Sequence, residues 1–210
     1  MDSGWRKVIA SYAFELGWHT PEIWAHDVTG DPLALLSDHA HCELQAAVAC
    51  QALISRYPDR PRLVDAAAQV VVEEMSHFRR VVDLVRKLGG ELTDGTSNVY
   101  AEQLRKGLGG TCRSGLLDRL LLASVIERRS CERFELLAEH AQQAELRKLY
   151  GDLAPEEVVH QNLFMDLAAA ECGADEAKSR LAELLLIESR VAPLQAFANR
   201  MHAGPQGPTL

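Results

Sequence analysis

Two copies of one five-residue pattern, Glu-Glu-x-x-His, lie 83 residues apart in this chain: Glu73-Glu74-Met75-Ser76-His77 and Glu156-Glu157-Val158-Val159-His160. Each is preceded by a lone carboxylate in an otherwise apolar helical run, Glu43 before the first and Glu127 before the second, 84 residues apart. The arrangement of one Glu followed by Glu-x-x-His therefore occurs twice in nearly equal register. An ionised carboxylate in an apolar interior is costly unless something compensates it, and four converging without a counterion are untenable. Two metal ions held between four helices need this set of ligands.

The spacing of apolar residues is helical almost throughout, with no long Val/Ile alternation of the kind a sheet needs. It predicts long helices over about 32–56, closed by Tyr57-Pro58, and from Pro61 to Gly89-Gly90. Two more are expected over about 113–140 and 145–172, the latter ending at Gly173. A short helix is expected around 98–106, within a segment rich in Gly, Thr and Ser (91–112). A C-terminal helix over about 175–201 should precede a loose Gly/Pro tail, 203–210. The long link in the middle, against short links within each pair, predicts an all-α four-helix bundle built from two helical hairpins. The core bundle then spans about 32–172, and the 210 residues read as one domain. Pro155, two residues before Glu157, should kink the last long helix or restart it.

Helical phase decides which glutamates face inward. Val70, Glu74, His77, Val81 and Leu84 form one apolar line, whereas Glu73 shares its side with Gln69 and Arg80. Leu153, Glu157, His160, Phe164 and Leu167 form the equivalent line in the last long helix. Glu43 falls in the stripe Leu36, His39, Ala46/Ala47, Cys50 and Leu53/Ile54; Glu127 falls in Leu120, Ala123/Ser124, Cys131, Phe134 and Leu137/Ala138. Glu132 lines up with Arg128, Glu135 and Glu139 and reads as solvated, and Glu73 and Glu156 read as bystanders. Two divalent ions would balance Glu43, Glu74, Glu127 and Glu157, with His77 and His160 as neutral ligands. The i,i+3 spacing sets each Glu and its His one turn apart on one face. Oxygen ligands with two imidazoles suit iron or manganese better than a thiolate-seeking metal.

Other residues carry weaker signals. His39, one turn before Glu43, reads as either a partner of that carboxylate or a core histidine. His41 and His140 read as exposed, Cys131 as a small buried thiol and Tyr150 as a packing residue. The net charge of −8 gives no general argument for nucleic-acid binding. No apolar stretch approaches the ~20 residues that span a bilayer, so no membrane association is expected. The five cysteines are odd in number and scattered, with no Cys-x-x-Cys, as expected for a reducing, cytoplasmic setting.

Several segments resemble a known family. They are Thr20-Pro21-Glu22-Ile23-Trp24, Asp38-His39-Ala40-His41-Cys42-Glu43-Leu44-Gln45-Ala46-Ala47, Glu74-Met75-Ser76-His77-Phe78, Ile126-Glu127-Arg128-Arg129-Ser130-Cys131-Glu132-Arg133-Phe134 and His202-Ala203-Gly204. From about Leu16 to Gly204 the chain is similar to the tRNA 2-methylthio-N6-isopentenyladenosine hydroxylases, ferritin-like non-haem di-iron monooxygenases. The resemblance implies a ferritin-like bundle in which Glu43, Glu74, His77, Glu127, Glu157 and His160 bind two iron ions, with no catalytic side chains beyond these ligands. It implies O2-dependent hydroxylation of the isopentenyl side chain on the modified adenosine beside the tRNA anticodon. Electrons would come from an external reductase. Local basic groups (Arg56/Arg60/Arg62, Arg79/Arg80/Arg86/Lys87, Arg105/Lys106/Arg113 and Arg128/Arg129) read individually as solvated helix exterior, though phosphate contacts need only one local patch. The Gly-rich segment 91–112 is the expected substrate-side loop. The alternatives are ferritin-like iron oxidation and storage, or another di-metal carboxylate oxidase.

Overall fold

The computed structural model describes residues 14–95, 97–109 and 115–207. Cys112, Arg113 and the end of the expected tail, 208–210, lie outside them. Among the described residues there are seven α-helices, a 3-10 turn and no strand. They fall into two compact units, one of Val28–Ser97 and Asn199–Met201, the other of Met1–Asp27, Asn98–Ala198 and His202–Leu210. Helix α1 is Ile23–Val28, α2 Pro32–Arg56, α3 Pro61–Lys87, α4 Val99–Gly107, α5 Leu116–His140, α6 Ala144–Cys172 and α7 Ala174–Val191.

The first of these units is the α2/α3 hairpin. Pro32 opens α2, where its missing N–H is no loss, and the Asp31 carboxylate caps the helix by accepting from the Ala34 N–H at 3.0 Å. The helix stops at Tyr57, ahead of Pro58, and Pro61 opens α3. At the far end Gly89 takes φ 79°, a left-handed turn that lets the Gly90 N–H reach the Val85 carbonyl at 3.0 Å. Buried side chains on α3 follow one stripe, Leu63, Ala67, Val70, Glu74, His77, Val81 and Leu84, widened by Val82 and Val85. The strand of chain after the hairpin is held to it by His41 Nε2 on the Thr93 carbonyl (2.7 Å) and by Ser37 on Thr93 (2.7 Å). His41 is therefore half-buried rather than exposed.

In the other unit α5 and α6 form a second hairpin. Arg147 closes its turn by donating to the carbonyls of Ala141 and Gln142 at 2.6 and 2.8 Å. Helix α6 runs unbroken through Pro155, so the helix does not restart there. It ends where Gly173 takes φ 101°. The hairpin keeps one register along its length: Ser124 donates to the Gln161 carbonyl at 2.9 Å, and the Phe134 and Tyr150 rings lie 5.2 Å apart. Tyr150 is thus a packing residue. His140, expected to be exposed, is half-buried, its ring 6.3 Å from His26.

Two expectations about the C-terminal end are corrected, and one helix is added at the N-terminal end. The C-terminal helix finishes at Val191, not near 201, because Pro193 breaks the α-helical hydrogen bonds and the chain continues as the 3-10 turn Ala192–Leu194. The tail does not loosen at 203. Ala203 is buried and accepts from Trp24 Nε1 at 3.1 Å, and Gly204 packs so closely that a Cβ there would lie 1.9 Å from the Gln195 carbonyl oxygen. Helix α1 was not predicted; it is short, and Trp24, its only large fully buried side chain, is held by contacts remote in sequence.

Candidate metal centre

Each hairpin buries the same set of side chains at its middle, two Glu and one His. In α2/α3, Glu43 from the first helix meets Glu74 and His77 from the second. His77 Nδ1 lies 3.6 Å from Glu43 Oε2 and 3.7 Å from Glu74 Oε2, and ligand atoms of the three residues all fall within 4.8 Å of one another. His39 Nε2 donates to Glu43 Oε1, which makes His39 a partner of that carboxylate, one of the two roles the sequence left open. Glu73 stands off this cluster and accepts from Gln69 at 2.9 Å.

In α5/α6, Glu127, Glu157 and His160 are all buried, and His160 Nδ1 lies 3.0 Å from Glu157 Oε2. The fields of Glu157 and Glu127 meet at Cys131. Burial, then Glu157, then Glu127 push its thiol well above the usual range and keep it protonated. Glu156 is exposed, as a bystander should be.

These donors fit a divalent first-row ion. Oxygen and nitrogen ligands sit about 2.0–2.2 Å from such a metal, so neighbours in one shell are about 3–4 Å apart. The separations of 3.0, 3.6 and 3.7 Å meet that requirement within each hairpin. Hard carboxylates with imidazole favour iron or manganese.

A second polar cluster in the α5/α6 unit was not anticipated. Arg128, Arg129, Glu132 and Arg133 are all buried, so Glu132 is not solvated and Arg128/Arg129 are not helix exterior. All five N–H groups of the Arg129 guanidinium are used. Nε and one terminal nitrogen donate to Glu188 Oε1 at 2.9 and 2.7 Å; the terminal nitrogens also reach Glu132, Thr20 Oγ1 (3.2 Å) and the Trp18 carbonyl (2.8 Å). Burial alone would lower the Arg129 guanidinium, but Glu132, Tyr100 and Glu188 outweigh it and hold the group above its usual value. Tyr100, kept neutral by burial and by Glu188, donates to the same Glu188 oxygen at 2.9 Å. Thr20 closes the network by donating to both Glu132 oxygens, at 3.1 and 2.8 Å. Arg133 lies over the Trp24 ring at 4.8 Å; burial, then the neighbouring Arg129, lower it to about 10. The cluster ties α5, which carries Glu127, to α4, α7 and the segment before α1. One sequence signal pointed here: Arg128, Arg129 and Arg133 are interleaved with Glu127, Glu132 and Glu135 along α5, charges of both signs close enough to pair with one another.

Comparison with known proteins decides the family. The family model described as tRNA-(MS2IO6A)-hydroxylase (MiaE) matches residues 8–203. The chain belongs to the MiaE family. A Pseudomonas putida protein named tRNA 2-(methylsulfanyl)-N(6)-isopentenyladenosine(37) hydroxylase is 32% identical, with 90% of this chain and 92% of that protein covered. A Salmonella typhimurium protein of the same name is 25% identical, covering 88% and 86%. Among solved structures, a protein from Synechococcus titled with aldehyde deformylating oxygenase activity superposes with a TM-score of 0.84 at 33% identity, covering 90% of this chain and 96% of its own. The MiaE-family chain is accordingly an all-α protein of the ferritin-like class and an enzyme. It carries a buried Glu/His cluster, and none of its described helices is long and apolar enough to cross a membrane.

Proposed function

We propose that this chain is an O2-dependent tRNA hydroxylase acting on the isopentenyl side chain of 2-methylthio-N6-isopentenyladenosine beside the anticodon. The observation that carries this reading is the repeated half-site: each hairpin buries one Glu against a Glu-x-x-His, in a chain matched to the MiaE family over residues 8–203. Glu43, Glu74, His77, Glu127, Glu157 and His160 are the ligands of two iron ions in this reading, with residues 32–172 acting as one bundle within a single domain. The irons, when bound, supply O2 activation and the oxidising power for C–H hydroxylation. In the balanced reaction one C–H bond becomes C–OH, the second oxygen atom leaves as water, and two electrons and two protons come from an external reductase.

The chain's own residues hold the ions, keep them dry and leave the ligand set purely oxygen and nitrogen. Glu43 is oriented by His39. Manganese accepts the same ligands, so metal identity is a measurable property of the isolated protein. Arg56, Arg62, Arg79, Arg86, Lys87, Arg105 and Lys106 are exposed and available for the phosphates of a tRNA, whereas Arg128 and Arg129 are spent inside. Such a substrate puts the protein in the cytoplasm.

The Synechococcus protein is named for a different oxygenase activity, and the family match favours the tRNA reading over it. Mass spectrometry of tRNA nucleosides from cells with and without the protein tests the substrate. Hydroxylated prenyl-adenosine should vanish on deletion, with its unhydroxylated precursor accumulating; an unchanged nucleoside profile would refute the assignment.

A further inference from the structure

Gln161 on α6 is fully buried, and neither its amide nitrogen nor its amide oxygen is hydrogen-bonded to a described protein group. Burying an unmatched carboxamide is unfavourable, and an apolar side chain of the same size would serve packing better. The position is defined in two ways. Gln161 follows Glu157 by one helical turn, the i,i+4 spacing at which a glutamine and a carboxylate meet. Its own carbonyl accepts from Ser124 at 2.9 Å, which sets it level with the residue one turn before Glu127 on α5.

We propose that Gln161 is a positioning residue of the metal centre: in the loaded protein its carboxamide donates to Glu157 and fixes the orientation in which that carboxylate coordinates. The inference rests on Glu157 and His160 being metal ligands. His160 Nδ1 lies 3.0 Å from Glu157 Oε2. A ring nitrogen and a carboxylate oxygen that both direct lone pairs at one cation no longer share a proton, so Glu157 can then accept from a neighbouring amide. Ligating carboxylates are regularly held by such a donor. Of the side chains one turn away on α6, Leu153 and Ala154 have none to offer, and His160 is committed to the metal. Gln161 has two.

The test uses anaerobic Co(II) titration of the metal-free full-length chain, followed by the visible d–d absorption, together with thermal unfolding of the metal-free proteins. Wild type should take up two Co(II) per chain. Gln161→Met should bind at least one of them about 10–100-fold more weakly, with an altered absorption band, while melting no lower than wild type without metal. Gln161→Leu should behave alike, and Ser124→Ala, which disturbs the same helix contact without touching the amide, should titrate as wild type. Wild-type affinity and spectrum in both Gln161 variants would overturn the proposal. So would an equal loss in Ser124→Ala, or failure of both Gln161 variants to fold, since either makes the amide a packing element. A wild-type chain that binds no Co(II) would instead bring down the ligand assignment itself, and this inference with it.

Discussion

The α2/α3 and α5/α6 hairpins carry the same Glu and Glu-x-x-His residues in nearly equal register, yet they bury their charges in different ways. Between residues 70 and 77 of α3, only Val70, Glu74 and His77 are buried, and the other residues of that stretch are half-buried or exposed. On α5 every residue from 127 to 134 is buried. Its outer side is covered by α4, α7 and the segment around Trp18–Trp24, so the charges there cannot be solvated and are paired instead. A solvated hairpin shows its inward face as a stripe. A hairpin sandwiched within its unit hides that face among other buried positions, and charge neutralisation inside the unit replaces hydration.

The largest difference to probe is between ligand and bystander. Glu74→Ala and Glu157→Ala should each lower bound iron and reduce formation of the hydroxylated nucleoside by more than about 100-fold, because a first ligand matters at least as much as an outer partner. Glu73→Gln and Glu156→Gln should leave both quantities at wild-type levels. Equal losses from Glu73→Gln, read by metal analysis and nucleoside mass spectrometry, would break the symmetry of the two half-sites.

Next in size is the contrast between buried and solvated arginines. Arg129→Met strips the counter-charge from Glu132 and Glu188 and should cost about 3–5 kcal/mol in urea unfolding. Arg86→Met on α3 removes an exposed arginine that pairs with Asp83 at 3.5 Å, and should cost less than about 0.5 kcal/mol. Similar costs for the two would mean that Arg129 does not compensate the buried Glu132 and Glu188.

A smaller effect is tied to pH. Burial, then the neighbouring Glu139, raise the Glu135 carboxyl to about 7. A carboxyl whose folded value lies above its unfolded value contributes stability that is complete below the unfolded value and is lost as pH rises through the folded one. Glu135→Gln should therefore match wild type in urea midpoint near pH 4 and exceed it at about pH 8, the gap opening above about pH 4.5 and reaching its full size as pH passes 7. A gap that is constant across this range would show that the variant acts through packing rather than ionisation.

The two hairpins also differ in how legible they were. Glu43, Glu74 and His77 could be chosen from their neighbours by phase alone, since α3 has a wet side and Glu73 falls on it. Phase also picked out Glu127, Glu157 and His160, because an apolar line crosses each of their helices whatever covers the other faces. The same rule misread Glu132, Arg128 and Arg129, for helical periodicity assumes that a polar face is a solvent face. Gln161 was passed over because an amide on an inward stripe looks like an ordinary polar break. Its burial and its lack of a partner become visible only with the neighbouring helix in place.

What the sequence determined by itself is local: helix starts at Pro32 and Pro61, the stop at Gly173, and the spacing that puts each Glu one turn from its His. These follow from backbone geometry and from the period of the helix, which act over a few residues. Tertiary structure decided what lies on the second side of α5, why the C-terminal segment stays docked through Gly204, and which charges are balanced by protein rather than by water. Those outcomes depend on contacts between residues more than a hundred positions apart, such as Thr20 with Glu132 and Trp24 with Ala203. No local pattern encodes them, because whether a charge is hydrated or paired is set by what the rest of the chain lays over it.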